Sequence, residues 1–145
     1  RIEMGHIAGS ELDGRTIPYD NSLEGLVSKK KDFIGKRSLD RKAFIAEDRQ
    51  KVVGVVPIDK KTSIPEGSHL VKDAMAPIPN PKLGYISASC WSVEYDNPFS
   101  LAILKDGKNM IGQKLFAMSP LKNKTIPVEI VSSHYVDPKG ERVRS

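Results

Sequence analysis

The chain has 145 residues, 39% of them hydrophobic and 28% charged, and a formal net charge of +5 that favours anionic partners. This length suits one self-sufficient core, and no apolar run approaches the roughly 20 residues that a membrane-spanning helix needs. The single cysteine, Cys90, excludes an intramolecular disulfide, so we expect a reducing, cytoplasmic compartment.

Residues 1–48 have a mixed composition with recurring glycines, which indicates the end of an α/β unit. Because the sequence starts at Arg1, inside this patterned segment, we expect a piece of a longer protein. Asp13 and Gly14 predict a chain reversal, and residues 18–22 offer capping oxygens for a short helical turn. Good helix formers between residues 32 and 44 predict one short helix.

Strand patterns separated by proline and glycine follow from Gln50 onward. Four valines around Gly54 predict a buried strand over Lys51–Pro57, and residues 69–72 predict a shorter one. Three prolines within residues 76–81 predict an extended surface connection. Residues 113–118 and 125–135 predict two further strands.

The segment 83–104 predicts a central hairpin. Its first half alternates with a period of two, and its second half is almost wholly apolar. Chain-reversing residues lie between the halves, at Asp96, Asn97 and Pro98. The alternation places four residues on one strand face: Gly84, Ile86, Ala88 and Cys90. Six short strands in all predict a mainly β fold, a sandwich or a small barrel, after a small α/β N-terminal part.

The densest charge feature is the run Lys29, Lys30 and Lys31, with more basic residues up to Lys42. Such a run attracts phosphates or a polyanionic tail, but solvated helix starts often carry one too. Nucleic-acid binding would need interleaved aromatic residues, and only Phe33 and Phe44 are near. A basic nucleic-acid binder is therefore a remote alternative.

Other chemistry-bearing residues favour structural roles. The three histidines, His6, His69 and His134, lack metal-ligand spacing, so no zinc site is predicted. Cys90 is expected to pack, and Trp91 either stacks on a planar ligand or covers a core edge. Asp13 and Asp20 are expected to have turn and cap roles. They belong to a loose acidic group: Glu11, Asp13, Asp20 and Glu24.

Several short motifs recur in a shared order along the whole chain. They are Arg-Ile-Glu-Met-Gly at 1–5, Asp-Phe-Ile-Gly-Lys-Arg-Ser-Leu at 32–39, Ser-Ala-Ser-Cys-Trp-Ser at 87–92 and Asp-Pro-Lys-Gly at 137–140. In this order the chain resembles the C-terminal third of the aminomethyltransferase family, which includes the glycine-cleavage T-protein. Within that family, the chain most resembles the alpha subunits of heterotetrameric sarcosine oxidases, in the three lysines before Asp32, the pair Trp91–Ser92, and the ending Ile-Pro-Val at 126–128 with Asp-Pro-Lys-Gly at 137–140.

The resemblance implies two regions. Residues 1–48 would be the tail of a folate-binding domain, and residues 49–145 a C-terminal six-stranded β-barrel. It implies a tetrahydrofolate site shared with upstream sequence of the same subunit, while flavin and NAD would lie elsewhere in the complex. The implied partners are that upstream part and the other subunits of a hetero-oligomeric oxidase, with no membrane involved.

The resemblance also implies which residues of this chain lie near folate, and which family residues this chain lacks. Relatives place an aromatic residue near the folate close to their C-terminus, and Tyr135, beside His134, is the counterpart here. Because the glutamate tail of folate is anionic, we also expect Lys29, Lys30 and Lys31 to steer it. Where relatives carry a channel-lining tryptophan, this chain has Gly25. The family's catalytic aspartate would lie upstream of Arg1, so the segment alone is expected to be inert.

Three alternatives stay open at this point. The first is a non-catalytic β-barrel module that docks onto partner subunits. The second is a fragment of a glycine-cleavage T-protein or of a dimethylglycine dehydrogenase-like enzyme. The third is the basic nucleic-acid binder already mentioned.

Overall fold

A computed structural model describes residues 1–77 and 79–144. Its helices and strands, in chain order, are α1 (Lys36–Leu39), α2 (Lys42–Ile45), β1 (Lys51–Pro57), β2 (His69–Val71), β3 (Lys82–Ser92), β4 (Asn97–Leu104), β5 (Lys114–Ser119), β6 (Lys124–Val131) and α3 (Glu141–Arg144). No helix within the described ranges is long and apolar enough to cross a membrane.

The described strands form a closed six-stranded barrel in which every neighbouring pair is antiparallel. The order around the barrel is β1-β4-β3-β2-β5-β6, and β6 pairs with β1 to close it. The predicted central hairpin is confirmed by the β3–β4 pair, which runs from Gly84 opposite Leu104 to Ser92 opposite Asn97. The prediction of a six-stranded barrel is therefore confirmed.

The barrel interior holds the main core. Alternate residues of each strand point inward, as the period of two requires. The buried cluster includes Val53, Val55, Leu70, Ile86, Ala102, Leu104, Leu115, Ala117, Ile126, Val128 and Ile130. Burial of these side chains is the main stabilising contribution to the fold.

A second core lies outside the barrel, on the outer face of β1 and β4. Val52, Val56, Phe99, Leu101 and Ile103 form this buried cluster. It is covered by side chains from both ends of the chain, namely Ile2, Ile7, Val131 and Tyr135. The valine-rich β1 is buried along almost its whole length because both of its faces are covered.

The predicted shared face of β3 is wrong because the strand contains a bulge. The register with β4 shifts between Ile86, which faces Ala102, and Ala88, which faces Leu101. One unpaired residue, Ser87, reverses the alternation. Ile86 therefore packs inside the barrel, whereas Cys90 packs against the outer cluster.

The N-terminal arm, residues 1–48, differs from the predicted α/β unit. It contains no strand, only 3₁₀ turns at Gly9–Glu11, Pro18–Asn21 and Glu24–Leu26 and the two one-turn helices α1 and α2. The single helix predicted over 32–44 is divided because Arg41 has extended backbone between α1 and α2. The chain reversal at Asp13 is confirmed by the hydrogen bond that Thr16 N donates to its carbonyl.

Some element boundaries also differ from prediction. The hairpin turn occupies residues 93–96, so that Asn97 and Pro98 begin β4. The last strand ends at Val131 instead of residue 135, because the chain then crosses to the N-terminal segment, where Tyr135 N and Val136 N donate to Glu3 O. In the proline-rich connection 76–81, Ile78 lies outside the described residues.

Candidate functional site

Arg49 joins the arm to the barrel just before β1. Its guanidinium donates to both carboxylate oxygens of Asp20, at 2.6 and 2.7 Å, and lies over the Phe44 ring at 5.0 Å from the centroid. It also donates to the backbone carbonyls of Arg15 and Ala43, each at 3.1 Å. A planar guanidinium suits this two-pronged pairing. One side chain therefore fixes three separate parts of the arm.

A second ionic contact holds the turn Glu24–Leu26 against the first residue of β1. Lys51 Nζ donates to the Tyr19 carbonyl oxygen and to the Glu24 carboxylate. Burial raises the pKa of the Glu24 carboxyl, but hydrogen bonds from Lys51 and from its own backbone amide, with the charges of Lys51 and Lys108, leave that pKa below its ordinary value. Glu24 is therefore an anion within a basic surround.

The space between arm and barrel forms a groove around this ion pair. A cavity of about 500 Å³ is lined by Tyr19, Phe44 and Ile45 and by the cations Arg49, Lys51 and Lys108. A second cavity, of about 210 Å³, shares Glu24, Lys51 and Lys108 and extends to His134. We call these two cavities together the arm–barrel groove. The walls of the larger cavity combine flat aromatic surface with three cations and three carboxylates, Asp20, Glu24 and Glu47.

The structure places the three predicted lysines beside the groove. Lys29, Lys30 and Lys31 are exposed and line a shallow cavity of about 630 Å³ that also includes Glu24. The predicted His134 lies at the other end of the groove. Glu24 therefore borders cavities at both sets of predicted residues.

The side chain of Tyr135 lies elsewhere, in the outer core. Its ring stacks on Phe99 at a centroid distance of 4.4 Å and meets the Tyr95 ring edge-on at 4.7 Å. Its hydroxyl accepts a hydrogen bond of 3.0 Å from the amide of Asn97. Neither groove cavity includes Tyr135, so its predicted contact with folate stays a prediction.

The acidic group of the arm is spread among structural partners. Glu11 accepts from Ala8 N, Asp13 pairs with Arg15, Asp20 with Arg49 and Glu24 with Lys51. The described residues contain no group of three or more histidine, cysteine, aspartate or glutamate side chains able to hold a metal.

Cys90 and Trp91 lie away from the groove. Burial raises the pKa of the Cys90 thiol, which suits packing and not nucleophilic chemistry. Trp91 is half exposed, and its indole N–H donates to Asp96 at 3.3 Å. It lies near the turn of the β3–β4 hairpin, whereas Gly84 lies near the other end. The two residues are seven positions apart, about 23 Å along a strand.

Sequence reasoning missed the cations that form the groove. Arg49, Lys51 and Lys108 are single basic residues at a strand start or in a turn, without a motif around them. Their convergence depends on how the arm folds over the barrel. A basic residue at the first position of an otherwise buried strand is the only signal that could have indicated Lys51.

Comparison with solved structures defines the fold. The chain is similar to the crystal structure of the glycine cleavage system aminomethyltransferase T from Bartonella henselae, with a TM-score of 0.70 and 22% identity over 95% of this chain and 37% of that one. The described barrel and its arm therefore have an aminomethyltransferase-like fold. No family profile matches the chain.

Comparison with curated proteins identifies relatives in sequence. The chain is 36% identical to sarcosine oxidase subunit alpha of Rhizobium meliloti (strain 1021), across 99% of its own length and 15% of that subunit. The alpha subunits from Corynebacterium strains U-96 and P-1 are 37% and 35% identical over 98% of the chain. The predicted resemblance is confirmed: this chain matches a segment of sarcosine oxidase alpha subunits, spanning about one seventh of their length.

Proposed function

We propose that the chain is a segment of a sarcosine oxidase alpha-type subunit that helps to form a tetrahydrofolate site. There the folate would accept the one-carbon unit released when sarcosine is oxidatively demethylated to glycine. The observation that carries this proposal is the 36% identity to an alpha subunit over 99% of the chain. The aminomethyltransferase-like fold, which is that of a one-carbon transfer protein, supports it independently.

In this proposal, the chain has two regions with different roles. Residues 1–48 complete a folate-binding domain supplied mostly by upstream sequence, and residues 49–145 form the barrel that packs against it. Flavin and NAD bind elsewhere in the oxidase, whose other subunits are the partners. The segment supplies walls and charges, and the reacting groups come from the rest of the complex.

The arm–barrel groove has the chemistry that a folate needs. A pterin and its benzoyl ring are flat, so they pack on aromatic or aliphatic walls such as Tyr19, Phe44 and Ile45. The glutamate tail is anionic and is attracted by the exposed run Lys29–Lys31 beside the groove, because Lys51 is already paired with Glu24. These residues would bind and orient the cofactor, and His134 would border the smaller end of the groove.

The test is a calorimetric titration of tetrahydrofolate against the protein and against a variant with Lys29, Lys30 and Lys31 all changed to Gln. Calorimetry is preferable to fluorescence because Trp91 lies at the far end of the hairpin. If each lysine contributes about 0.5 kcal/mol, the triple variant binds about 10-fold more weakly. Raising the salt concentration should narrow that difference.

A matched control changes the same number of charges elsewhere. Lys114, Lys122 and Lys124 lie exposed on the β5–β6 hairpin, and their replacement by Gln should leave folate affinity unchanged. Equal affinity of the wild type and the Lys29–Lys31 variant would contradict the proposed tail site. No binding by the complete alpha-type subunit would contradict the proposed function.

A docking module is the second candidate, favoured by apolar side chains of the arm that face solvent. Leu26 is 80% exposed, and Ile34 and Ile45 are exposed as well. In this candidate these side chains pack against partner subunits of the oxidase. Hydrogen exchange of residues 23–45 in the assembled oxidase should then be slower than in the complete alpha-type subunit alone, and equal exchange rates would contradict docking.

A further inference from the structure

The run of three lysines belongs to a turn that is closed by hydrogen bonds. Ser28 Oγ accepts from the Lys31 amide at 2.9 Å. A fourth lysine, Lys36, reaches back from α1, and its Nζ donates to the carbonyl oxygens of Lys31, at 2.8 Å, and Lys29, at 3.3 Å. We call residues 28–31 the lysine turn.

Local backbone geometry explains why Lys36 can reach the turn. Gly35 precedes it with φ of +90°, a left-handed conformation that favours glycine, and Lys36 N donates to the Phe33 carbonyl at 3.2 Å. Together they reverse the chain direction between the turn and α1. The Lys36 side chain is consequently half-buried, whereas Lys29, Lys30 and Lys31 are exposed.

The four lysines carry the same charge but are used differently. The hydrogen bonds of the Lys36 ammonium go to the backbone of the turn. None of the hydrogen bonds described for the arm involves the side-chain ammonium groups of the other three lysines, which line the shallow cavity next to Glu24. Three adjacent like charges repel one another, so a turn without an internal tie would spread over many conformations.

We propose that Lys36 is a positioning residue that preorganises the lysine turn for an anionic chain of carboxylates. It holds Lys29 and Lys31 through their carbonyl oxygens, so that the three exposed ammonium groups form one patch. Lys36 itself does not contact the ligand. The inference rests on the proposed function, since the ligand in question is the glutamate tail of a folate.

The experiment compares two ligands and a set of variants by calorimetry. The ligands are tetrahydropteroyl-triglutamate and a tetrahydropterin that lacks the glutamate tail. The proteins are the wild type, Lys36→Met, Lys36→Arg and the variant with Lys29, Lys30 and Lys31 changed to Gln. Lys36→Met should bind the triglutamate about 5-fold more weakly, because the tail must then order the turn itself. Lys36→Arg, which can still donate to two carbonyls, should recover most of the loss.

Two further readouts separate positioning from direct contact. The tetrahydropterin should bind Lys36→Met as it binds the wild type, since the lost order concerns the tail only. The dependence of affinity on salt should keep its wild-type slope in Lys36→Met, where the contacting charges remain, and should flatten in the triple variant. Ser28→Ala removes the other hydrogen bond that closes the lysine turn, so it should also weaken triglutamate binding.

The possible failures are distinguishable. If the triple variant binds the triglutamate as the wild type does, the proposed tail site is wrong, and the role of Lys36 falls with it. If the triple variant binds weakly but Lys36→Met and Ser28→Ala bind normally, only the positioning role is wrong. A flattened salt slope in Lys36→Met would overturn positioning in favour of direct contact. Urea midpoints equal to that of the wild type show that the variants are folded.

Discussion

The barrel and the arm are stabilised in different ways, although they are parts of one chain. The barrel has a continuous ladder of strand pairs around a buried apolar interior. The arm has only single turns of helix, tied by side chains such as Arg49, Lys51 and Lys36. Periodic burial fixes the barrel, whereas the arm is fixed by individual polar contacts and by the packing of Ile2 and Ile7 on the outer core. The candidate groove lies where the two meet, so its shape depends on the less regular of the two.

The largest expected effect concerns a backbone contact inside the barrel. A Cβ added at Gly84 would lie 2.9 Å from Leu104 Cα and against the Ile103 carbonyl of β4. Because these atoms belong to the strand ladder, Gly84→Ala should lower the free energy of unfolding by about 4 kcal/mol in urea denaturation. Gly14→Ala is the control in the arm, where a Cβ meets nothing within 4 Å. Similar urea midpoints for the two variants would show that the barrel accommodates an added Cβ as easily as the arm does.

The next effect should be confined to the arm. Arg49→Met leaves Asp20, a buried carboxylate, without its partner, so we expect the attachment of the arm to weaken by about 3 kcal/mol. Limited proteolysis should then cut within residues 13–48 while residues 51–131 stay intact. Arg49→Lys keeps the charge but loses the bidentate geometry. The rate of arm cleavage in this variant should lie between those of the wild type and Arg49→Met. Cleavage that begins in the barrel strands would contradict this division.

A smaller effect tests whether Tyr135 acts in the outer core. Tyr135→Phe removes the hydroxyl that accepts from Asn97 and leaves the stacked ring in place, so it should cost about 1 kcal/mol of unfolding free energy. Chemical denaturation measures that loss, and calorimetry measures folate affinity in the same variant. A larger loss of affinity than of stability would favour the predicted folate contact. His134→Ala, at the groove, is the comparison variant.

The smallest effect concerns a turn beyond β1. Hydrogen bonds from the Thr62 hydroxyl and from the amides of Thr62 and Lys61 lower the pKa of Asp59 from 3.8 to about 2. A carboxyl whose pKa falls on folding adds stability above its unfolded pKa, and that contribution is lost as the pH falls from about 4 through 2. NMR titration should give a midpoint near 2 for Asp59. In Thr62→Val the midpoint should rise, and an unchanged midpoint would exclude the hydroxyl as the cause.

The sequence predicted the barrel well where burial is periodic. The bounds of β1, Lys51–Pro57, agree with prediction to the residue, because its valines suit a strand with both faces covered. The prediction failed along β3, since the bulge at Ser87 leaves no mark in a run of small residues. It also extended the last strand through residues 132–135, where Tyr135 instead donates to Glu3 O, a contact that depends on tertiary structure.

The candidate site was predicted only in part for a similar reason. Charge density and the resemblance indicated Lys29, Lys30 and Lys31, which are exposed beside the groove. The cations Arg49, Lys51 and Lys108 are far apart in sequence and meet only because the arm crosses the start of β1. In the sequence, Lys36 is one of several basic residues that follow Lys31. Composition does not show that its ammonium group donates to the backbone of the lysine turn.

The pairing of β6 with β1 has a consequence for how this chain is made and degraded. In the closed barrel, β1 and β5 have no unpaired backbone edge, so the sheet offers no template for another extended chain. A polypeptide that ends before Lys124, through ribosome stalling or proteolytic cleavage, would expose both of those edges together with the apolar lining. Such shortened species should aggregate readily, and the last eight-residue strand therefore protects the protein against self-association.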